Sequence, residues 1–302
     1  MSAIDHLPEP PASEPTPART VPDELRGVWQ RTLLQTGTDA AAQAGAAPAS
    51  DTQSWVRWLQ TSAWHGDLRL PEQALAARQP LPLTQLSAGQ LGALACQQGF
   101  AGITQFEALP EGQICTWLRR IDYQPPGLQP DAGWMLFEQP DRLIEIGVHE
   151  DYNEIWQRLP DSVGRFVTLA SPDDAAAALP GPAGTAEPSG PVRLLLAGQY
   201  LMLVRGRLQR WPRGMTPGCS LADVMLRHPE QALQWLDCEI SFGRLLGGEW
   251  LIERSTLPER EGLRQPCALQ RLDANRAWVT LGDTVSEWRV LEWSSTDERI
   301  SD

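Results

Sequence analysis

The sequence predicts an all-β chain, mainly antiparallel with a few short helices, whose strands curl into a β-barrel: one large barrel or two lobes. Three observations predict it. Most of the chain is short alternating or apolar runs punctuated by Gly, Pro and Asp, the pattern of a strand meander. So many sequential strands are too many for one flat open sheet, so closure or two sheets is expected. Thirteen Trp outnumber the five Phe and three Tyr together, and most of them fall inside these runs.

From the N-terminus, residues 1–24 have the Pro-rich, acidic composition of a disordered tail, which cannot bury enough apolar surface to offset chain entropy. Residues 25–171 form the expected barrel lobe. Its strands are Val28–Gln35, Ser54–Thr61, His65–Leu70, Gly102–Glu107, Gln113–Asp122, Gly133–Glu138, Arg142–His149, Tyr152–Arg158 and Arg165–Leu169. A solvated Ala-rich insert, Asp39–Ser50, interrupts them, and Pro172–Pro191 reads as a flexible linker or insert. Residues 192–295 are a second β lobe or the completion of the first barrel. They carry runs at Arg193–Leu196, Tyr200–Gln209, Glu239–Leu245, Glu249–Ser255, Gln265–Leu272, Arg276–Leu281 and Ser286–Trp293.

Helices are few. Ser87 is the expected N-cap of Ala88–Gln98, where Leu91, Leu94 and Ala95 share a face. Ser220 caps a second helix through Arg227, and Pro229 opens a third running to Trp235. Such segments belong over a barrel mouth or between lobes.

The totals bound the function. A formal net charge of −13 argues against a surface built to grip nucleic acid or an anionic membrane. The expected partner is a small molecule or another protein. All 25 basic residues are Arg, which excludes a Schiff-base lysine, a P-loop lysine and a Ser-Lys pair. Cys96, Cys115, Cys219, Cys238 and Cys267 lack C-x-x-C or metal spacing and read as thiols of a reducing compartment. Met1–Pro22 has no apolar core for a signal peptide, and the apolar run Leu194–Val204 is too short to span a bilayer, so a cytoplasmic location is expected.

Five Trp are followed two residues on by Arg, among them Trp29 with Arg31, Trp55 with Arg57, and Trp117 with Arg119. Residues two apart share a strand face, so each ring should lie beside a guanidinium. Facing inward, such pairs would line a cavity suited to an anionic group. Facing outward, the Arg stems would simply cover half-exposed Trp.

The first strand opens with Gly27-Val28-Trp29, and Gly248-Glu249-Trp250 repeats the triplet late in the chain. The Gly lets a strand bend sharply into a barrel and the Trp plugs the closed end. This triplet resembles the opening strand of the calycin superfamily, which includes the lipocalins. GVWQRTLLQTG, WVRWLQTSAWHGDLRLP, QQGFAGIT, CTWLRRIDYQPP and EIGVHEDYNEIW together are similar to a poorly characterised family of lipocalin-like proteins of bacteria and fungi, some of them two-lobed. The resemblance runs over residues 25–160 and more loosely beyond. It implies a lipocalin-like β-barrel with a ligand pocket and brings no catalytic residues; the second Gly-x-Trp hints at a second barrel.

The segment from Cys115 to Trp156 is the densest chemically. On its strands, Cys115, Trp117, Arg119 and Ile121 are expected on one face, and Glu145, Gly147 and His149 opposite Ile144, Ile146 and Val148. Glu145 and His149 would stand about 13 Å apart, too far for a hydrogen bond but able to line one pocket with Tyr123, Asp131, Tyr152 and Glu154. With the Ile face packed inward, both would instead face water. His65, His149 and His228 lack mutual ligand spacing, so no metal is expected. The missing Gly-x-Ser-x-Gly elbow speaks against a hydrolase and the missing phosphate-cradling glycine loop against nucleotide chemistry, so no cofactor is expected, a haem held through one His being the alternative left open.

The expectation is a carrier or sensor of a small, apolar and anionic molecule in a Trp- and Arg-lined cavity. Its expected ligand-binding residues are Trp29, Arg31, Trp58, Trp117, Arg119, Tyr123, Tyr152 and Trp156. The alternatives are a cofactor-free isomerase, lyase or cyclase using His149, Glu145 and Arg119, and a protein-interaction module with a solidly packed barrel.

Overall fold

A computed structural model describes residues 21–37, 47–172, 190–294, 297 and 299–300. The expected tail up to residue 20, most of the Ala-rich insert and the stretch 173–189 lie outside the described residues. Val21, at the end of the expected tail, is buried, and its N–H donates to the Ser62 carbonyl.

The strands are β1 Gly27–Thr36, β2 Ala49–Asp51, β3 Trp55–Gln60, β4 Trp64–Leu70, β5 Gln98–Leu109, β6 Gly112–Asp122, β7 Ala132–Gln139, β8 Arg142–Gly147 and β9 Tyr152–Arg158. They continue as β10 Phe166–Ala170, β11 Val192–Ala197, β12 Tyr200–Arg205, β13 Glu239–Leu246, β14 Glu249–Ser255, β15 Arg264–Arg271, β16 Arg276–Leu281, β17 Thr284–Trp293 and β18 Arg299–Ile300. Four short helices intervene: α1 Glu72–Ala77 and α2 Ala88–Leu94 between β4 and β5, and α3 Leu221–Arg227 and α4 Ala232–Leu236 between β12 and β13. Ser87 with Gln90, and Ser220 with Asp223, close reciprocal capping boxes at the starts of α2 and α3.

These strands close into two antiparallel barrels of eight. β1 and β3 to β9 form the first, shut by the β1–β9 pair, with β2 added to β1. The second runs from β10 to β17, shut by β14–β15, with β18 added to β15. β10 pairs with β11 and β17, so the second barrel begins ahead of the stretch 172–191.

The barrels share a layout. Each places two helices between its third and fourth strands in barrel order, and each bulges between its fourth and fifth, at Gly102 and Gly243. At both positions a Cβ would collide with the facing carbonyl, of Leu118 and of Leu251, so only glycine fits the pinch. When these bulges are superimposed in register, Trp117 falls on Trp250 and Trp156 on Trp288. Gly248-Glu249-Trp250 thus matches the strand of Trp117. It does not open the second barrel; it begins that barrel's fifth strand.

Three apolar cores result. One fills the first barrel around Trp29, Trp58, Trp117 and Trp156, and another fills the second with Leu169, Leu194, Leu203, Trp250, Ile252 and Val279. The third lies between the barrels, where Val28, Leu59 and Leu68 meet Met202, Ile240 and Phe242 beneath residues of α2, α3 and α4. Trp55 meets Phe242 edge-on at 5.6 Å across this junction. Glu292 of β17 pins the β3–β4 turn, accepting from the Thr61 and Ser62 hydroxyls and the Ser62 and Ala63 N–H groups. Among the described residues no helix is long and apolar enough to cross a membrane.

Candidate functional site

Alternation along each strand of the first barrel decides what faces inward. On β1 these are Trp29 and Arg31, and on β3 Val56, Trp58 and Gln60. β4 sends His65, Asp67 and Arg69 inside, while Trp64, Leu68 and Leu70 cover the junction with the second barrel. Of the Trp-x-Arg pairs, Trp29/Arg31 and Trp117/Arg119 thus point in, whereas Trp55/Arg57 points out, with the Arg57 guanidinium 4.5 Å over the Trp55 ring. On β6 the extra residue of the bulge, Arg120, reverses the faces: Ile121 packs in the junction rather than beside Trp117.

On β8, Glu145 and Leu143 face in, and Ile144 and Ile146 face out, Ile146 being exposed. Glu145 fits because Gly133 lies diagonally across the β7–β8 ladder from it; a Cβ there would lie 2.6 Å from the Glu145 Cγ. The strand stops at Gly147, so His149 sits exposed on the following turn, off the Glu145 face.

The inward residues build a floor and a wall. The floor is an indole cluster centred on Trp58, whose ring lies 6.2 Å from Trp29, 5.6 Å from Trp117 and 5.7 Å from Trp156. Trp29 Nε1 donates to the Leu25 carbonyl, fixing the plug from below. Above the floor runs a chain of ion pairs. Arg31 donates to Glu154 at 2.6 Å and to Asp51 at 2.9 Å. Arg69 holds Asp67 at 2.8 Å and Glu154 at 3.1 Å, and Arg119 holds Asp131 at 2.7 Å and Asp122 at 3.1 Å. The Arg119 guanidinium also stacks 3.7 Å over the Phe100 ring.

Beside this chain sits a buried acid. Glu145 accepts from the Tyr152 hydroxyl at 2.8 Å and from Trp156 Nε1 at 3.1 Å, and it lies directly across the β8–β9 ladder from Glu154. Burial, reinforced by the negative charge of Glu154, pushes the Glu145 carboxyl well above its ordinary range. Burial and the neighbouring Glu145 likewise raise Tyr152, which stays a protonated donor. Burial lowers His65 to about 3, helped by Arg119, so its ring is neutral. Burial alone would lower Arg69, but Asp67 and Glu154 hold it well above its usual value.

A cavity of about 520 Å3 opens above this network. Its walls include Arg31, Leu34, Asp51, Arg69, Arg119 and Tyr152. A groove of about 660 Å3 lies alongside, sharing Arg119, Asp131, Glu150 and Tyr152 and adding Trp117, His149 and Trp211.

The residues expected from sequence separate into four groups. Arg31, Arg119 and Tyr152 line the cavity; Trp29, Trp58, Trp117 and Trp156 pack in the core of the first barrel and do not line it, Trp117 alone reaching the neighbouring groove. Tyr123 lies in the junction core, where its hydroxyl donates to the Leu94 carbonyl and accepts from Gln97 Nε2. Of the expected catalytic trio, His149 and Arg119 meet at the groove, while Glu145 lies behind Tyr152 and lines neither space. Sequence reasoning left out Asp51, Asp67 and Arg69. The signal for the last two was the alternation His65-Gly66-Asp67-Leu68-Arg69, which ordinarily reads as a solvent face.

The fold defines the chain as a two-lobed, mostly antiparallel β-barrel protein. Among solved structures it is similar to that of uncharacterized protein YLR301w from Saccharomyces cerevisiae, at 12% identity and a TM-score of 0.50, over 89% of this chain and 99% of that one. That likeness is one of fold. No protein-family model and no curated protein matches the sequence.

Proposed function

We propose that this chain is a lipocalin-like protein that binds a small molecule in the mouth of its first barrel, as a carrier or sensor. One observation carries the reading: a preformed cavity of about 520 Å3, within the range of small-molecule sites, is walled by the ion-paired Arg31, Arg69, Arg119 and Glu154. A charged network inside a barrel costs desolvation that an aliphatic filling would avoid, and so argues for a purpose beyond stability. The free thiols of Cys96, Cys115, Cys219, Cys238 and Cys267 support a reducing, cytoplasmic setting.

Ligand-observed NMR of a fragment library against wild type and Leu34→Trp tests the reading, since Leu34 lines the cavity. Fragments that bind wild type and are lost in the variant support it. A library that stays silent, or hits that survive the blockage, would count against it.

A second reading, an isomerase, lyase or cyclase without a cofactor, draws on the Tyr152 to Glu145 hydrogen bond. Tyr152 lines the cavity and touches a buried acid whose carboxyl burial holds above its ordinary range, an arrangement able to relay a proton. Tyr152→Phe should then abolish turnover of any bound compound while leaving its affinity within about threefold.

A further inference from the structure

We infer that the molecule taken into this mouth is an organic cation, an ammonium or guanidinium on a small body, rather than an anion; this rests on the binding reading above. The sequence suggested the opposite because it counted guanidiniums without their partners. Each of the three cavity-lining Arg is already held by two carboxylates: Arg31 by Glu154 and Asp51, Arg69 by Asp67 and Glu154, Arg119 by Asp131 and Asp122. An entering carboxylate would have to displace one of these internal partners and leave it buried and unpaired. Two of the guanidiniums also occupy aromatic surface, Arg119 over Phe100 and Arg69 near both Phe100 and Trp156.

The acceptor side is not used up. Glu154 is 2% exposed and forms part of the cavity wall; both Arg31 and Arg69 bond its Oε1, while its Oε2 has no hydrogen-bond partner among the described residues. A buried carboxylate oxygen without a donor is costly. Across the ladder, Glu145 is engaged by Tyr152 and Trp156. At the rim, Glu150 adds a further acidic residue to the lining, exposed and outside the ion pairs of the three Arg. Carboxylates therefore outnumber guanidiniums around the cavity, and Leu34, Pro71 and the Tyr152 ring give a short apolar body something to lie on. A positive group entering here meets a site with surplus negative charge and an unfilled acceptor.

The test uses two probes with similar aromatic bodies and opposite charge, 2-phenylethylamine and phenylacetate, with spermidine as a third. Isothermal titration calorimetry on the full chain at pH 7 and low salt reads their affinities. The amine should bind about tenfold or more tightly than the acid. Glu154→Gln, which keeps one acceptor for the two Arg, should weaken the amine by about tenfold, and the exposed Glu150→Gln by about two- to threefold in a salt-sensitive way. Glu150 lies on a surface turn, so that variant keeps the test decisive even if Glu154→Gln fails to fold.

Phenylacetate binding the tighter would overturn the cationic assignment and leave the binding reading standing. An amine affinity unchanged in Glu150→Gln would also count against it. If neither amine nor spermidine binds, the inference fails. Silence of the fragment library as well would remove the binding reading with it.

Discussion

The two barrels are built on one plan and filled in opposite ways. At matched register positions Asp67, Arg119 and Glu145 of the first barrel become Leu203, Ile252 and Val279 in the second, and Glu154 becomes Ser286. The floor changes as well, with Trp29 and Trp58 replaced by Leu169 and Leu194 while Trp117 and Trp156 keep their counterparts in Trp250 and Trp288. Even the space for the buried acid is exchanged: Gly133 lies diagonally across from Glu145, and Cys267 stands at the matching place diagonal to Val279. The second barrel stands largely on an aliphatic filling, although Arg69 keeps a counterpart in Arg205, paired with Asp237 and Glu239. What the first has beyond that is the charged set of Asp67, Arg119, Glu145 and Glu154.

Moving one residue between the barrels should break this comparison most severely. Val279→Glu places an acid where Cys267 leaves no glycine gap and no Tyr hydroxyl waits, and should destabilise the chain by about 3–5 kcal/mol in urea denaturation. A loss under about 1 kcal/mol would mean that the second barrel tolerates a site as readily as the first. The reverse change, Glu145→Val, leaves Tyr152 and Trp156 without their acceptor but removes a buried acid, so a loss of about 1–3 kcal/mol is expected. At the junction, Glu292→Ala removes the acceptor of two hydroxyls and two backbone N–H groups in the Thr61–Ala63 turn. It should cost about 1–3 kcal/mol, read as faster hydrogen exchange in that turn.

The smallest expected effect is a pH dependence confined to the first barrel. Glu145 has a folded pKa above its unfolded value, so its contribution is complete below about 4.5 and is lost as pH rises toward the folded value. The slope within that window is at most about 1.4 kcal/mol per pH unit. His65 acts in the other direction: its folded pKa of about 3 lies below 6.5, so stability falls as pH drops from 6.5 toward 3. Glu145→Gln should flatten the alkaline limb of a stability profile and leave the acidic limb in place. A profile unchanged by the substitution would show that Glu145 is ionised in the folded chain.

Much of the architecture was legible in the sequence. Arg276–Leu281 and Glu249–Ser255 were expected to the residue, because alternation, flanking glycines and β-branched content agree there. Gly27 does open the first barrel, with Trp29 as its plug. The direction of the faces was not legible. A strand with polar and apolar sides normally turns its polar side to water, and in β4 and β8 the apolar side is covered by the other barrel or left partly exposed while the polar side goes inside. The bulge at Arg120 likewise hides in a run whose side chains alternate smoothly, since its cause, the pinch at Gly102, lies on the neighbouring strand. The short strand β2 and the helix α1 were passed over, one inside an Ala-rich insert and the other lacking a side-chain cap.

The central claim is that the first barrel binds and the second only supports, and the matched Trp pairs test it directly. The Trp156 indole N–H donates to Glu145 and that of Trp288 to Ser286, so each reports on its own barrel. In a nitrogen-15 spectrum of the indole region, titration with 2-phenylethylamine should shift Trp117 and Trp156 and leave Trp250 and Trp288 where they are. Shifts of Trp250 and Trp288 with Trp117 and Trp156 unmoved would contradict it.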